Sequence, residues 1–198
     1  MIRAAIVLLA FWASPACAHG TIAGGGSFYG GFAHPFVALD QFLLIFALGL
    51  TLGHARQADL QRAAIGLMAA ALAGLWLASR GILLPATEPT LLAGSAVLGV
   101  GLAAAVRLPG AVALIAAITV GFVTGNGTDV PMAAGSAVPA YDTALMWAGT
   151  LAALFLIAMN AAVLSAAMTR PVLALVRRIL GSWLAAISLM VLALQASA

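Results

Sequence analysis

The sequence predicts an all-α integral membrane protein, a bundle of six transmembrane helices after a cleaved signal peptide. Three observations carry this expectation. Of 198 residues, 65% are hydrophobic and 7% charged, where a soluble domain carries about a quarter charged residues. The apolar residues collect into runs of the length that a helix needs to cross hydrocarbon. The arginines are sorted to one side of the layout those runs impose. Eight arginines, no lysine and five acids cannot cover a soluble domain of this size. They also exclude a disordered chain and a nucleic-acid binder with a basic face. The net charge of +3 is spread thinly along the chain.

Residues 1–18 read as a secretory signal peptide. Arg3 is its positive start, residues 4–13 its apolar core, and Ala16 and Ala18 the small residues of an A-x-A cleavage site. The mature chain then begins at His19. An uncleaved first helix is the competing reading, opposed by the short core and by Pro15 at its end. Cys17 is the only cysteine, so cleavage leaves no disulfide, thiolate metal site or cysteine chemistry. Residues 19–198 form a single six-span domain. A glycine-rich stretch, Gly24-Gly25-Gly26-Ser27 and Gly30-Gly31, reads as flexible.

The apolar runs cover about residues 36–54, 63–79, 90–106, 109–124, 143–168 and 179–194. With the N-terminus outside, the inner loops hold Arg56, Arg62, Arg107, Arg170, Arg177 and Arg178, and the outer loops hold Arg80 alone. This positive-inside bias agrees with the signal peptide and places both ends of the mature chain outside a bacterial inner membrane. Residues 171–180 read as an interfacial helix, because Arg177 and Arg178 are costly in lipid. Gly66, Ala70 and Gly74 in the second run, and Gly94, Gly99 and Gly101 in the third, read as small faces for close helix packing. Trp76, Trp147 and Trp183 read as interfacial anchors or packing residues.

Asp59 falls on the inner side, and Asp40, Glu88, Asp129 and Asp142 on the outer side with His19 and His34. Carboxylate and imidazole are borderline donors that suit nickel, cobalt or zinc. Glu88 before Pro89 reads as a helix start and Asp142 before Thr143 as a cap. Asp40 differs, because an ionisable residue inside an apolar run is a functional candidate. His34 and Asp40 are six residues apart, just under two turns, and share neighbouring faces if the helix begins near Pro35. Asn160 reads as an interhelical hydrogen-bonding residue, with a polar path as the alternative. His54 reads as interfacial. There is no Ser–His–Asp arrangement, phosphate loop or H-E-x-x-H motif, so no catalytic residue is assigned and the chain is not expected to be an enzyme.

The stretch from Gly31 to Leu43 resembles the HupE/UreJ family, six-span bacterial membrane proteins associated with hydrogenase and urease. Of the family's H-P-x-x-G-x-D-H signature, His34, Pro35 and Asp40 match, Ala38 stands for the glycine and Gln41 for the second histidine. Glu88-Pro89-Thr90-Leu91 with Gly99 is similar to the family's E-P-G-I opening of its third span, with Gly94 in place of the usual serine. Residues 121–131 correspond to the family's F-H-G-x-A-H-G-x-E-x-P segment. There Gly127, Asp129 and Pro131 match or substitute conservatively, and Phe122 and Asn126 replace histidines.

The resemblance implies uptake or delivery of a divalent cation, nickel or cobalt, across the inner membrane. No resident cofactor is implied. The expected partners are the lipid bilayer, the metal ion and a metalloenzyme maturation system. The expected metal ligands are His34 and Asp40, then Gln41 and Asp129, with mature His19 contributing its amine and ring. The alternative is a membrane scaffold or assembly subunit that kept the fold and lost the ligands.

Overall fold

The computed structural model describes residues 27–85, 87–128 and 140–197. Among these residues all regular structure is helical: α1 (Ser27–Val37), α2 (Leu39–Leu52), α3 (Gln57–Ser79), α4 (Thr87–Ala103), α5 (Gly110–Asn126), α6 (Ala140–Ala167) and α7 (Pro171–Ala196). α3, α6 and α7 are each long and apolar enough to cross a membrane, and α1 with α2 passes the same test as a bent pair. α4 and α5 are apolar but have 17 residues each, about 25 Å of helix. The expected signal peptide, His19 and Asp129 lie outside the described residues.

The first apolar run departs from expectation. It is not one helix behind a flexible glycine stretch. The helix starts at Ser27, breaks at Ala38 and resumes at Leu39, with a bend of 77° between the two parts. Pro35 lies inside α1, where it has no N–H to donate to the preceding turn. Ala38 is extended, with φ −75° and ψ 98°. Gly30 and Gly31 lie within α1, and aromatic rings recur every fourth residue along it. Phe28 stacks on Phe32 and Phe32 leans on Phe36, with ring centroids 6.2 and 5.5 Å apart. Gly31 also lies against the Met146 carbonyl, where a Cβ would come within 2.0 Å of the oxygen.

The last run departs in a simpler way. α7 is continuous from Pro171, so residues 171–180 are its first turns rather than a separate interfacial helix. Pro171 at the first position suits a helix start, where its missing N–H would be unpaired anyway.

Helices pack by bringing backbone onto backbone at small residues. In the α3–α5 pair, Gly74 faces the Phe122 carbonyl, Gly121 faces that of Leu67 and Gly125 that of Ala71. The buried stripe of α3 includes Ala63, Leu67, Ala71, Gly74 and Ala78. It shares Gly74 with the Gly66–Ala70–Gly74 face read in the sequence, and Gly66 also packs on α5, against the Leu114 and Ile118 side chains. In the α4–α7 pair, Gly99 lies against Gly181 and Ala185, and buried Ser188 donates to Ser95 at 2.9 Å. Gly101 has open space beside it. In the α2–α6 pair, Gly49 faces the Ala158 carbonyl and Gly53 that of Ala162. These contacts make α3–α5 and α2–α6 parallel pairs, and α4–α7 antiparallel.

α2 is the central helix. Nine of its fourteen residues are buried, and Leu48 and Leu50 face two different apolar clusters. The periphery is apolar as well: Val97, Ile115, Val163 and Trp183 are each more than 60% exposed in helix interiors. Such a surface suits lipid rather than water.

Candidate functional site

The site lies at the end of the bundle that the arginine pattern marks as outer. The starts of α2 and α4 meet the end of α5 there, and the α1–α2 break forms one wall. His34 belongs to the last turn of α1, and Asp40 and Gln41 to the first turn of α2. The 77° bend means that His34 and Asp40 do not share a helix face, which corrects the expectation from their spacing. The immediate neighbour of His34 is Gln41, whose Nε2 is 3.4 Å from the imidazole Nε2.

Gln41 is 2% exposed and reaches across to α5. Its Nε2 donates to the Gly127 carbonyl at 3.1 Å, which fixes the orientation of the amide. The Oε1 is consequently turned the other way, and among the described residues it has no hydrogen-bond partner. An amide N–H directed at the His34 Nε2 needs a lone pair there, so the proton of the neutral ring belongs on Nδ1. The amide nitrogen of Gln41 thus lies against the imidazole of His34, and its buried oxygen lies on the other side of the amide. Asp40 is half-buried and close enough to feel the charges of Glu88 and His34, and its carboxylate takes the backbone N–H of Gln41.

The other outer polar groups fasten helices together. Asp142 accepts from Ser27 Oγ at 2.9 Å, closing α1 onto α6. Glu88 accepts from the Gln195 amide, closing α4 onto α7. Both agree with their reading as helix-end residues. Asn126 is 1% exposed and clasps the α3–α4 loop: its Oδ1 accepts from Leu84 N–H at 2.7 Å and its Nδ2 donates to the Ile82 carbonyl at 2.8 Å. This role was barely legible in the sequence. The one signal was an amide where the family resemblance puts a histidine. Among the described residues, no group of three or more His, Cys, Asp and Glu side chains is placed to hold a metal ion. A cation at His34 and Gln41 would need further oxygen donors.

Two expected polar roles lie elsewhere. Among the described residues Asn160 makes no interhelical bond: it is exposed and donates to the Leu156 carbonyl of its own helix at 2.7 Å, beside an apolar groove lined by Phe36, Phe42 and Phe46. At the inner end, His54 follows α2 and meets Ser165 Oγ at 3.2 Å and the Arg177 guanidinium at 2.6 Å from Nδ1. Burial, then the charges of Arg177 and Arg107, hold this imidazole below its usual pKa.

The family model described as HupE / UreJ protein matches residues 6–191 of the chain. No curated protein and no solved structure matches significantly. The matched stretch includes the broken first run, the Gln41–Gly127 junction and α3 to α6 entire, and on that extent the chain belongs to the HupE / UreJ family.

Proposed function

We propose that the protein captures a divalent cation, nickel or cobalt, at its outer end and delivers or transports it across the bacterial inner membrane. Membership of the HupE / UreJ family supports an accessory or permease role in metal handling. The observation that carries the assignment to this site is the pairing of His34 Nε2 with the amide of Gln41, whose Oε1 is buried without a partner. A buried acceptor left unpaired costs about 1–3 kcal/mol, and a cation would satisfy it. Asp40 supplies the negative charge that draws the cation in. Asp129 and mature His19 complete the proposed ligand set from the outer loop and the N-terminus.

The six-span layout, with a cleaved signal peptide and both ends periplasmic, is part of this proposal. The alternating sense of the packed helix pairs and the sorting of the arginines support it. The competing reading is a non-transporting scaffold or assembly subunit. It is favoured by the absence of a three-ligand cluster among the described residues and by the tying of Asp142 and Glu88 into helix-to-helix bonds.

The deciding measurement is nickel and cobalt accumulation in cells that lack their own importers, at matched expression of wild type, His34→Ala and Asp40→Ala. Accumulation in wild type that is lost in both variants supports the permease. Wild type equal to empty vector, or variants equal to wild type, removes the site and leaves the scaffold reading in front.

A further inference from the structure

At the inner end, the last turns of α2 and α4 and the start of α7 enclose a recess of about 20 Å³, lined among others by Thr51, His54, Arg107 and Arg177. No carboxylate lines it. Among the described residues the one ion pair is Arg62 with Asp59, at 3.5 Å, and Asp59 turns its carboxylate toward Gly110 at the start of α5. Arg107 and Arg177 therefore face one recess with no acid between them. Each raises the electrostatic cost of the other's charge. Arg177 donates to the His54 ring, which holds its guanidinium in place.

The backbone around the recess is set with some strain. The turn after α4 that leads to Arg107 places Ala105 in the left-handed region, with φ 58°. At the corresponding turn after α3 the residue is Gly81, with φ 75°, and only glycine adopts this conformation without cost. Arg178 donates its Nε to the Ala103 carbonyl at 2.8 Å, pinning the start of α7 to that same turn. Strained backbone held by its surroundings is found at ligand clamps more often than elsewhere.

Size and depth select the ligand. A cavity of about 20 Å³ has room for about one water-sized group. It admits one anionic oxygen and leaves the rest of the ligand at the mouth. From Arg178 to Gln195, α7 rises about 26 Å, close to the roughly 30 Å of a bilayer's hydrocarbon, so the arginines sit at headgroup depth. Beyond them α7 is apolar and outward-facing at Ile179 and Trp183, a surface along which acyl chains can lie.

We propose that this recess binds the phosphodiester of an anionic phospholipid, one phosphoryl oxygen entering between Arg107 and Arg177. The fork of a guanidinium fits a phosphate, and basic pockets between helices on the cytoplasmic side are where such headgroups bind. The inference rests on the membrane reading above and is independent of the metal site.

The test is native mass spectrometry of the full chain purified in equal amounts of phosphatidylglycerol and phosphatidylcholine. Wild type should retain phosphatidylglycerol preferentially. Arg107→Gln and Arg177→Gln should each cut that preference about fivefold, and Arg62→Gln should leave it unchanged. Equal retention of the two lipids by wild type overturns the proposal, whether or not the variants fold. So does an equal loss in Arg62→Gln. Displacement of phosphatidylglycerol by inorganic phosphate at matched concentration would make this a free-anion site and also overturn it. Total lipid retained, whatever its headgroup, reports separately on the membrane reading.

Discussion

Gln41 donates its amide to the Gly127 carbonyl at 3.1 Å, joining the break after α1 to the end of α5 across 86 residues of sequence. One side chain thus serves two purposes. It closes the outer end of the bundle, and it leaves a buried amide oxygen that has no partner among the described residues.

That double role predicts opposite responses to two substitutions. Gln41→Ala takes the donor from the half-buried Gly127 carbonyl and removes a buried side chain, at a cost of about 1 kcal/mol or more. Gln41→His puts an imidazole next to His34 and strengthens the site for a borderline metal. Thermal unfolding of purified protein should show the loss in the first variant. Nickel-dependent stabilisation should be larger in the second than in wild type. A destabilised histidine variant with no added response to nickel would count against a metal at this position.

Glycine positions should separate sharply by their surroundings. A Cβ on Gly121 would lie 2.2 Å from the Leu67 carbonyl oxygen, whereas nothing stands within 4 Å of one on Gly101. Gly121→Ala must push α3 and α5 apart, and overpacking of this kind costs about 1–3 kcal/mol or more. Gly101→Ala should be neutral or stabilising by up to about 1 kcal/mol through helix propensity. Unfolding of the two variants side by side checks the helix register, since a rotated α5 or α4 would reverse the order.

His54 gives the protein a pH dependence with a defined sign. Burial and the two neighbouring arginines hold its pKa below the 6.5 of an ordinary imidazole. The folded protein therefore binds its proton more weakly than the unfolded chain does. Its contribution to stability is complete above pH 6.5 and is lost as pH falls through the depressed folded value. Stability measured from pH 7.5 down to pH 5 should fall more steeply in wild type than in His54→Gln. Parallel profiles would mean that the imidazole titrates as though exposed.

Much of the fold was legible in the sequence because bilayers impose simple lengths and compositions. All six apolar runs correspond to helical stretches, and most boundaries lie within a few residues of the helix found; α3 starts at Gln57 and α7 at Pro171, well before their runs, and α1 starts at Ser27 before the first. Ser27, Gly30 and Gly31, read as part of a flexible stretch, are helical; the glycines drew attention from a regular spacing of Phe28, Phe32 and Phe36, which is the spacing of one helix face. The small face of α3 was legible in part: Gly66 and Gly74 both pack on α5, while Ala63, Leu67 and Ala71 lie on the more deeply buried side, which only the partner helix decides. At the site, His34, Asp40 and Gln41 could be named from their pattern. The function of Asn126 could not, since its partners, Ile82 and Leu84, lie more than 40 residues earlier in the chain.

The sequence by itself determined the class of solvent this protein meets. Few charges, long apolar runs and sorted arginines leave only a bilayer to bury against, and hydrophobic transfer is set by composition rather than by pairing. Tertiary structure alone decided which polar groups come together. The bend at Ala38 breaks the helical phase between His34 and Asp40, and the approach of α5 supplies the Gly127 carbonyl that orients Gln41. Hydrogen bonds depend on direction and on distances of about 3 Å, and a linear spacing of residues carries neither across a break in a helix.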